Sequence, residues 1–170
     1  RQSFVARWIL DTDTLLCIPY ILCVQGIPDK KLDVKMNTKI INGRAITPYR
    51  IIDNCCLLVI DGKIVDIRQG DIDAPGAEIF DAGGRYVSPG FIDLHVHGGG
   101  GHDFMDNTVE AYLAIAETHA RYGTTTLCPT TLTAEKTDLL KTLEIYEQAD
   151  RWNSRGAQFA GLHLEGPYFA

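Results

Sequence analysis

From residue 36 onward the chain alternates apolar and polar positions in short runs broken by turn residues. Lys39-Ile-Ile-Asn-Gly-Arg-Ala-Ile-Thr47 predicts two short strands around Asn42-Gly43, a residue pair suited to a tight hairpin. Leu57 to Ile67 repeats the device around Asp61-Gly62, with the Val- and Ile-rich flanks that strands favour. Gly70 to Ala77 is polar, contains Pro75 and Gly76, and reads as a loop; Glu78-Ile-Phe80 and Arg85-Tyr-Val-Ser88 predict strands separated by Gly83-Gly84. Residues 38–88 are therefore expected to form a small antiparallel β unit of hairpins, too small to be well stabilised by itself.

After Pro89-Gly90 the rhythm changes to strand–helix alternation. A strand at 91–97 leads through four glycines to a helix expected at about 108–122, where Val109, Tyr112, Leu113, Ala116 and Ala120 recur at helical spacing and Gly123 closes the end. Thr124 to Cys128 predicts a second strand, ended by Pro129. Thr133 is the expected N-cap of a second helix, with Glu135 in its first turn. Leu139, Leu140, Leu143, Tyr146, Ala149 and Trp152 give that helix an apolar face, with Tyr146 and Trp152 expected in the core. Phe159 to Glu165 predicts a third strand. Repeats of this length imply parallel βαβ units, hence an α/β barrel or an open doubly wound sheet.

Composition narrows the function classes. The 170 residues are 45% hydrophobic and 22% charged, as in soluble globular proteins. A net charge of −6 without a basic stripe argues against nucleic acid as a partner. The apolar run Leu15–Val24 is too short for a bilayer, which takes about 20 residues, so no membrane role is expected. Asp11 and Asp13 precede that run, no small-residue cleavage pair follows it, and Leu22 spoils a lipoprotein-type site at Cys23. The competing expectation is that residues 1–35 are a non-native or upstream extension, that 36–88 form the β segment, and that 89–170 form the strand–helix part, with the native start at Met36. Cys17, Cys23, Cys55, Cys56 and Cys128 show no CxxC spacing, which points to a reducing compartment, the cytoplasm.

Chemistry concentrates at two strand ends. In the 91–97 strand Asp93, His95 and His97 share one face while Ile92, Leu94 and Val96 share the other, as if packed on helices. Two neighbouring imidazoles ahead of a glycine loop suit a divalent transition metal such as zinc. In the third strand Gly161, His163 and Glu165 share a face, and Glu165 can complete a site begun by the two histidines. Both sets lie at C-terminal strand ends, where (β/α)8 barrels assemble their active sites. The glycines lack a Walker-type lysine and a GxGxxG pattern, so a sharp turn is expected there instead of a phosphate loop. His102 and Asp103 are expected to be loop structure, and His119 a helix-surface residue.

Val87-Ser-Pro-Gly-Phe-Ile-Asp-Leu-His-Val-His-Gly98 is similar to the first-strand motif of the amidohydrolase superfamily of metal-dependent hydrolases. Together with Thr124-Thr-Thr-Leu-Cys-Pro-Thr-Thr131 and Gly161-Leu-His-Leu-Glu-Gly-Pro-Tyr168, it resembles the N-acetylglucosamine-6-phosphate deacetylases over about residues 38–170. The resemblance implies a truncated (β/α)8 TIM barrel, its first three strands, preceded by part of a small β-sandwich. It implies hydrolysis of N-acetylglucosamine 6-phosphate, a small sugar phosphate, to glucosamine 6-phosphate and acetate, by a full-length homodimer. Glu165 matches the family's metal-ligand glutamate, and His95 and His97 match a pair that helps hold a second ion in some members, so one or two zinc ions are implied. His163 carries no ligand role in the family and is expected to support the ligands. Two further histidines and the catalytic aspartate lie on later strands of the family, beyond Ala170, so no catalytic residue is assigned within the chain, its substrate-binding residues are unassigned, and the chain alone is expected to be inactive. The alternatives are another amidohydrolase, a cyclic amidase or deaminase with a metal-binding lysine on a fourth strand, and a non-catalytic partial product.

Overall fold

A computed structural model describes residues 37–61 and 63–166, together with the backbones of two strands, 15–18 and 22–25. The remaining residues of the 1–35 segment, Met36, and Gly62 of the expected Asp61-Gly62 turn lie outside the described residues. The chain divides into two compact units, Arg1–Gly90 and Phe91–Ala170.

The first unit is a seven-stranded sheet formed by β1 (Leu15–Ile18), β2 (Leu22–Gln25), β3 (Thr38–Ile46), β4 (Ile51–Ile60), β5 (Lys63–Gln69), β6 (Glu78–Asp81) and β7 (Tyr86–Ser88). Its main path runs β1-β2-β7-β3-β4-β5, with β6 beside β3. Asn42-Gly43 is not the expected hairpin: β3 continues through it as one strand with a bulge, because Ile40 pairs with Leu57 and Gly43 with Cys55. Asn42 takes φ 55°, and its side chain and carbonyl bond Asp81 and the Gly84 amide, which fixes the bulge against the 82–85 turn. Nor is the unit purely antiparallel. Both β6 and β7 pair parallel with β3, at successive stretches on either side of the bulge. The β4–β5 hairpin forms as expected, with Asp61 at φ 48°. Ile40, Ala45, Cys55, Leu57, Val59, Phe80, Ala82 and Val87 form its core.

The second unit is mixed α/β. A three-stranded parallel sheet joins β8 (Phe91–Val96), β11 (Thr124–Pro129) and β12 (Gln158–Phe159), with β11 central. Between β8 and β11 lie a small hairpin, β9 (Gly98–Gly99) with β10 (His102–Asp103), and helix α1 (Val109–Arg121); helix α2 (Lys136–Trp152) follows β11. The α1 boundaries match the sequence pattern, because the Thr108 hydroxyl accepts the Ala111 amide at one end and Gly123 takes φ 100° at the other. Phe104, Tyr112, Ile115, Leu127, Ala149 and Phe159 lead the core, where Phe104, Tyr112 and Phe159 meet edge to face.

Several expectations change here. Helix α2 starts at Lys136 with Glu135 as its cap residue, which makes no side-chain capping bond; Thr133 instead packs against Gly166, where an added Cβ would lie 2.5 Å from its hydroxyl. Trp152 is 65% exposed rather than in the core, and Leu140 and Leu143 are also exposed. The side of α2 that packs carries Ala149, Ile145 and Tyr146, while Leu139, Leu140 and Leu143 line a groove of about 100 Å³ with Leu164. Ile92 and Leu94 are exposed too, so of the aliphatic face of β8 only Val96 packs on the core. The third strand is not continuous: it pairs with β11 at 158–159 and again through the Thr130–His163 bridge, with one extra residue on its own side between them.

Candidate metal centre

Local backbone chemistry aims the site. Along β8, Asp93 pairs with Leu127 and Val96 with Pro129, so Leu94 and His95 share the space that one residue, Cys128, fills on β11. This bulge removes the His95 amide from the ladder, and the Asp93 carboxylate accepts it at 3.1 Å. Asp93 thereby becomes a backbone brace for the histidine it flanks.

The three predicted metal-site residues converge. His95 Nε2 lies 3.2 Å from His97 Nε2 and 3.2 Å from Glu165 Oε2, and His97 Nε2 lies 3.3 Å from the same oxygen. The donor atoms form a nearly equilateral triangle, and no other group of three such residues lies this close among the described residues. Glu165 Oε2 is buried and has no hydrogen-bond partner among the described residues. A carboxylate oxygen facing two imidazole nitrogens without a hydrogen bond to either is arranged as a ligand around a common point. Ligands held at roughly 2.0–2.1 Å in a tetrahedron stand about 3.3 Å apart, so the donor set fits one divalent ion.

His163 stands beside this triangle. Its Nδ1 donates to the Leu94 carbonyl at 3.2 Å, and its ring meets His95 edge-on with centroids 4.7 Å apart. Its contacts are thus with the His95 ring and the β8 backbone beside it. His102 and Asp103, expected as loop structure, form strand β10 of the small hairpin; His102 lies 3.6 Å from Asp106, and the Asp103 side chain caps the short turn Phe104–Asp106. His119 departs from expectation. Its Nε2 donates to the Gly98 carbonyl at 3.1 Å, which ties α1 to the glycine loop after His97. That loop needs its glycines: a Cβ on Gly98 would stand 2.2 Å from the His102 carbonyl oxygen.

Sequence reasoning assigned no role to Thr130 and Thr131, both fully buried where β11 ends. The Thr130 hydroxyl accepts the Val96 amide and the Thr131 hydroxyl accepts the Glu165 amide. The available signal was a pair of uncharged polar residues at the C-terminal end of a central parallel strand.

Residues 86–170 match the sequence profile of the Amidohydrolase family. The chain is 32% identical over 126 residues to the N-acetylgalactosamine-6-phosphate deacetylase of Escherichia coli O157:H7, covering 74% of this chain and 32% of that protein. It is 32% identical over 138 residues to the N-acetylglucosamine-6-phosphate deacetylase of Haemophilus influenzae, covering 79% of this chain and 35% of that protein. The crystal structure of N-acetylglucosamine-6-phosphate deacetylase from Pasteurella multocida matches with a TM-score of 0.70 at 26% identity, over 79% of this chain and 35% of that one. The chain thus spans about a third of the length of these relatives.

Proposed function

The chain belongs to the amidohydrolase family, and from that premise we propose that it is the N-terminal part of a zinc-dependent deacetylase of N-acetylglucosamine 6-phosphate, releasing glucosamine 6-phosphate and acetate. The observation that carries the reading is the triangle of His95 Nε2, His97 Nε2 and Glu165 Oε2 at 3.2–3.3 Å. Imidazole nitrogens and a carboxylate oxygen are the donors zinc prefers.

The fold supports the same reading. Strands β8, β11 and β12 stand side by side in chain order, as they do in one sector of a closed (β/α)8 barrel, and we take β1–β7 as part of a β-sandwich. The triangle lies at the C-terminal ends of these strands, the catalytic face of that architecture. Within the chain, His95, His97 and Glu165 would hold the metal, and Asp93 and His163 would orient His95. When bound, a divalent ion there supplies Lewis acidity toward an amide carbonyl and lowers the pKa of water. The general base and the remaining ligands that the resemblance implies belong to later strands, so the chain alone binds metal without turnover. The whole protein is read as a cytoplasmic homodimer acting on a small sugar phosphate.

Zinc titrated calorimetrically into the chain is expected to show one site, lost in Glu165→Gln and in His97→Ala, while N-acetylglucosamine 6-phosphate yields no acetate. A protein extended to the length of its relatives is expected to release acetate, and its Glu165→Gln variant to lose that activity. An extended protein that opens cyclic amides and leaves the sugar phosphate intact would refute the reading. The Escherichia coli relative's name favours one second reading, the galactosamine epimer. The two sugars differ at a hydroxyl remote from the acetamide, so kcat/KM for both in the extended protein decides between them.

A further inference from the structure

We propose that Thr130 and Thr131 are positioning residues for the metal centre, their hydroxyls setting where the three donor side chains stand. The inference rests on the metal reading above. In a parallel ladder a backbone amide meets a backbone carbonyl of the neighbouring strand. At the end of β8 this rule is broken. The Val96 amide, which lies between His95 and His97, donates instead to the Thr130 hydroxyl at 3.0 Å, and that hydroxyl donates onward to the Cys128 carbonyl at 3.1 Å. The Thr130 amide returns a bond to the Val96 carbonyl at 2.9 Å, so Val96 is gripped on both sides by one residue.

The adjacent residue treats the other half of the centre in the same way. The Thr131 hydroxyl accepts the Glu165 amide at 3.1 Å, while the Thr131 amide donates to the His163 carbonyl at 3.0 Å. One dipeptide, at 0% and 1% exposure, therefore fixes the backbone of both metal-bearing segments. The geometry makes the hydroxyls spacers. Each is inserted where a direct ladder bond would be shorter, and each sets the separation between the histidine pair and the glutamate. Valine has the shape of threonine but cannot accept an amide, so Thr→Val leaves the amide unpaired and free to move its donor.

The test uses cobalt(II) as the probe, titrated into the chain and followed by its visible absorption, with thermal unfolding measured in parallel without metal. Thr130→Val and Thr131→Val are expected to weaken cobalt binding by about 10-fold or more and to alter the absorption bands, with an unfolding transition that stays cooperative but has a lowered midpoint, since a buried amide loses its acceptor; the corresponding serine variants are expected to restore binding and bands. Valine variants that bind cobalt as tightly as the parent, with unchanged bands, would overturn the proposal. Should a valine variant fail to fold, Thr131→Ser and Thr131→Ala decide the matter: tighter binding by serine supports the hydroxyl's role, and equal binding overturns it. Failure of the underlying reading looks different, since the parent chain would then take up no cobalt or His97→Ala would bind it equally well, and the proposal would fall with it.

Discussion

Tyr112 is fully buried, and its hydroxyl has no hydrogen-bond partner among the described residues. Burial pushes its phenol well above the ordinary tyrosine range, with Tyr146 and Asp103 adding to the shift. An unpaired buried hydroxyl costs about 1–3 kcal/mol, so Tyr112→Phe is expected to leave stability unchanged or raise it by about 1 kcal/mol in urea unfolding. Asp81 behaves in the opposite way. The Gly83 amide, and after it the Asn42 side chain, hold its carboxyl below the ordinary carboxylate range; Lys39 does the same for Asp71. Because these folded-state values are depressed, their stabilisation is complete above the unfolded value near 4 and is lost as pH falls through the folded value. Asp81→Asn should therefore lower the unfolding midpoint at pH 7 and converge with the parent in strong acid. A gap of equal size at both pH values would count against this account.

Among the elements, the glycine loop is the most exposed to small changes. Gly98→Ala places a methyl against the His102 carbonyl and should cost about 1–3 kcal/mol in thermal unfolding, weakening metal binding as the backbone next to His97 shifts. Helix α1 was legible in the sequence because its signals are local: apolar residues three and four apart and a terminal glycine. The beginning of α2 was not, since Thr133 is an ordinary cap candidate until Gly166 comes to rest against it. The bulges at Asn42 and at Leu94-His95 were hidden for the same reason, because register depends on the strand opposite. His95, His97 and Glu165 could be picked out because their chemistry is uncommon and their spacing alternates. Thr130 and Thr131 could not: a hydroxyl acquires its role only from the amide that folding places before it.

At the scale of the molecule, each unit has its own core, and the effects predicted above divide between them. The acid dependence of Asp81 belongs to the first unit. Metal removal acts on the second, where zinc should slow amide exchange at Val96 and Glu165 and a chelator should reverse it. Both units also use the same device of paired irregularities. In β3–β4, Ile40 to Ala45 on one strand faces Leu57 to Ile52 on the other, and each advances five residues although two bulges intervene. In β8–β11, Phe91 to Val96 faces Thr124 to Pro129, again five against five. The bulges cancel, and the histidine pair depends on that cancellation. Losing a single residue between Asp93 and Val96 would reverse the direction of every side chain beyond the gap. Evolution can thus exchange Ile92 or Leu94 for other apolar residues with little consequence, whereas a one-codon deletion in the same stretch would dismantle the centre at once.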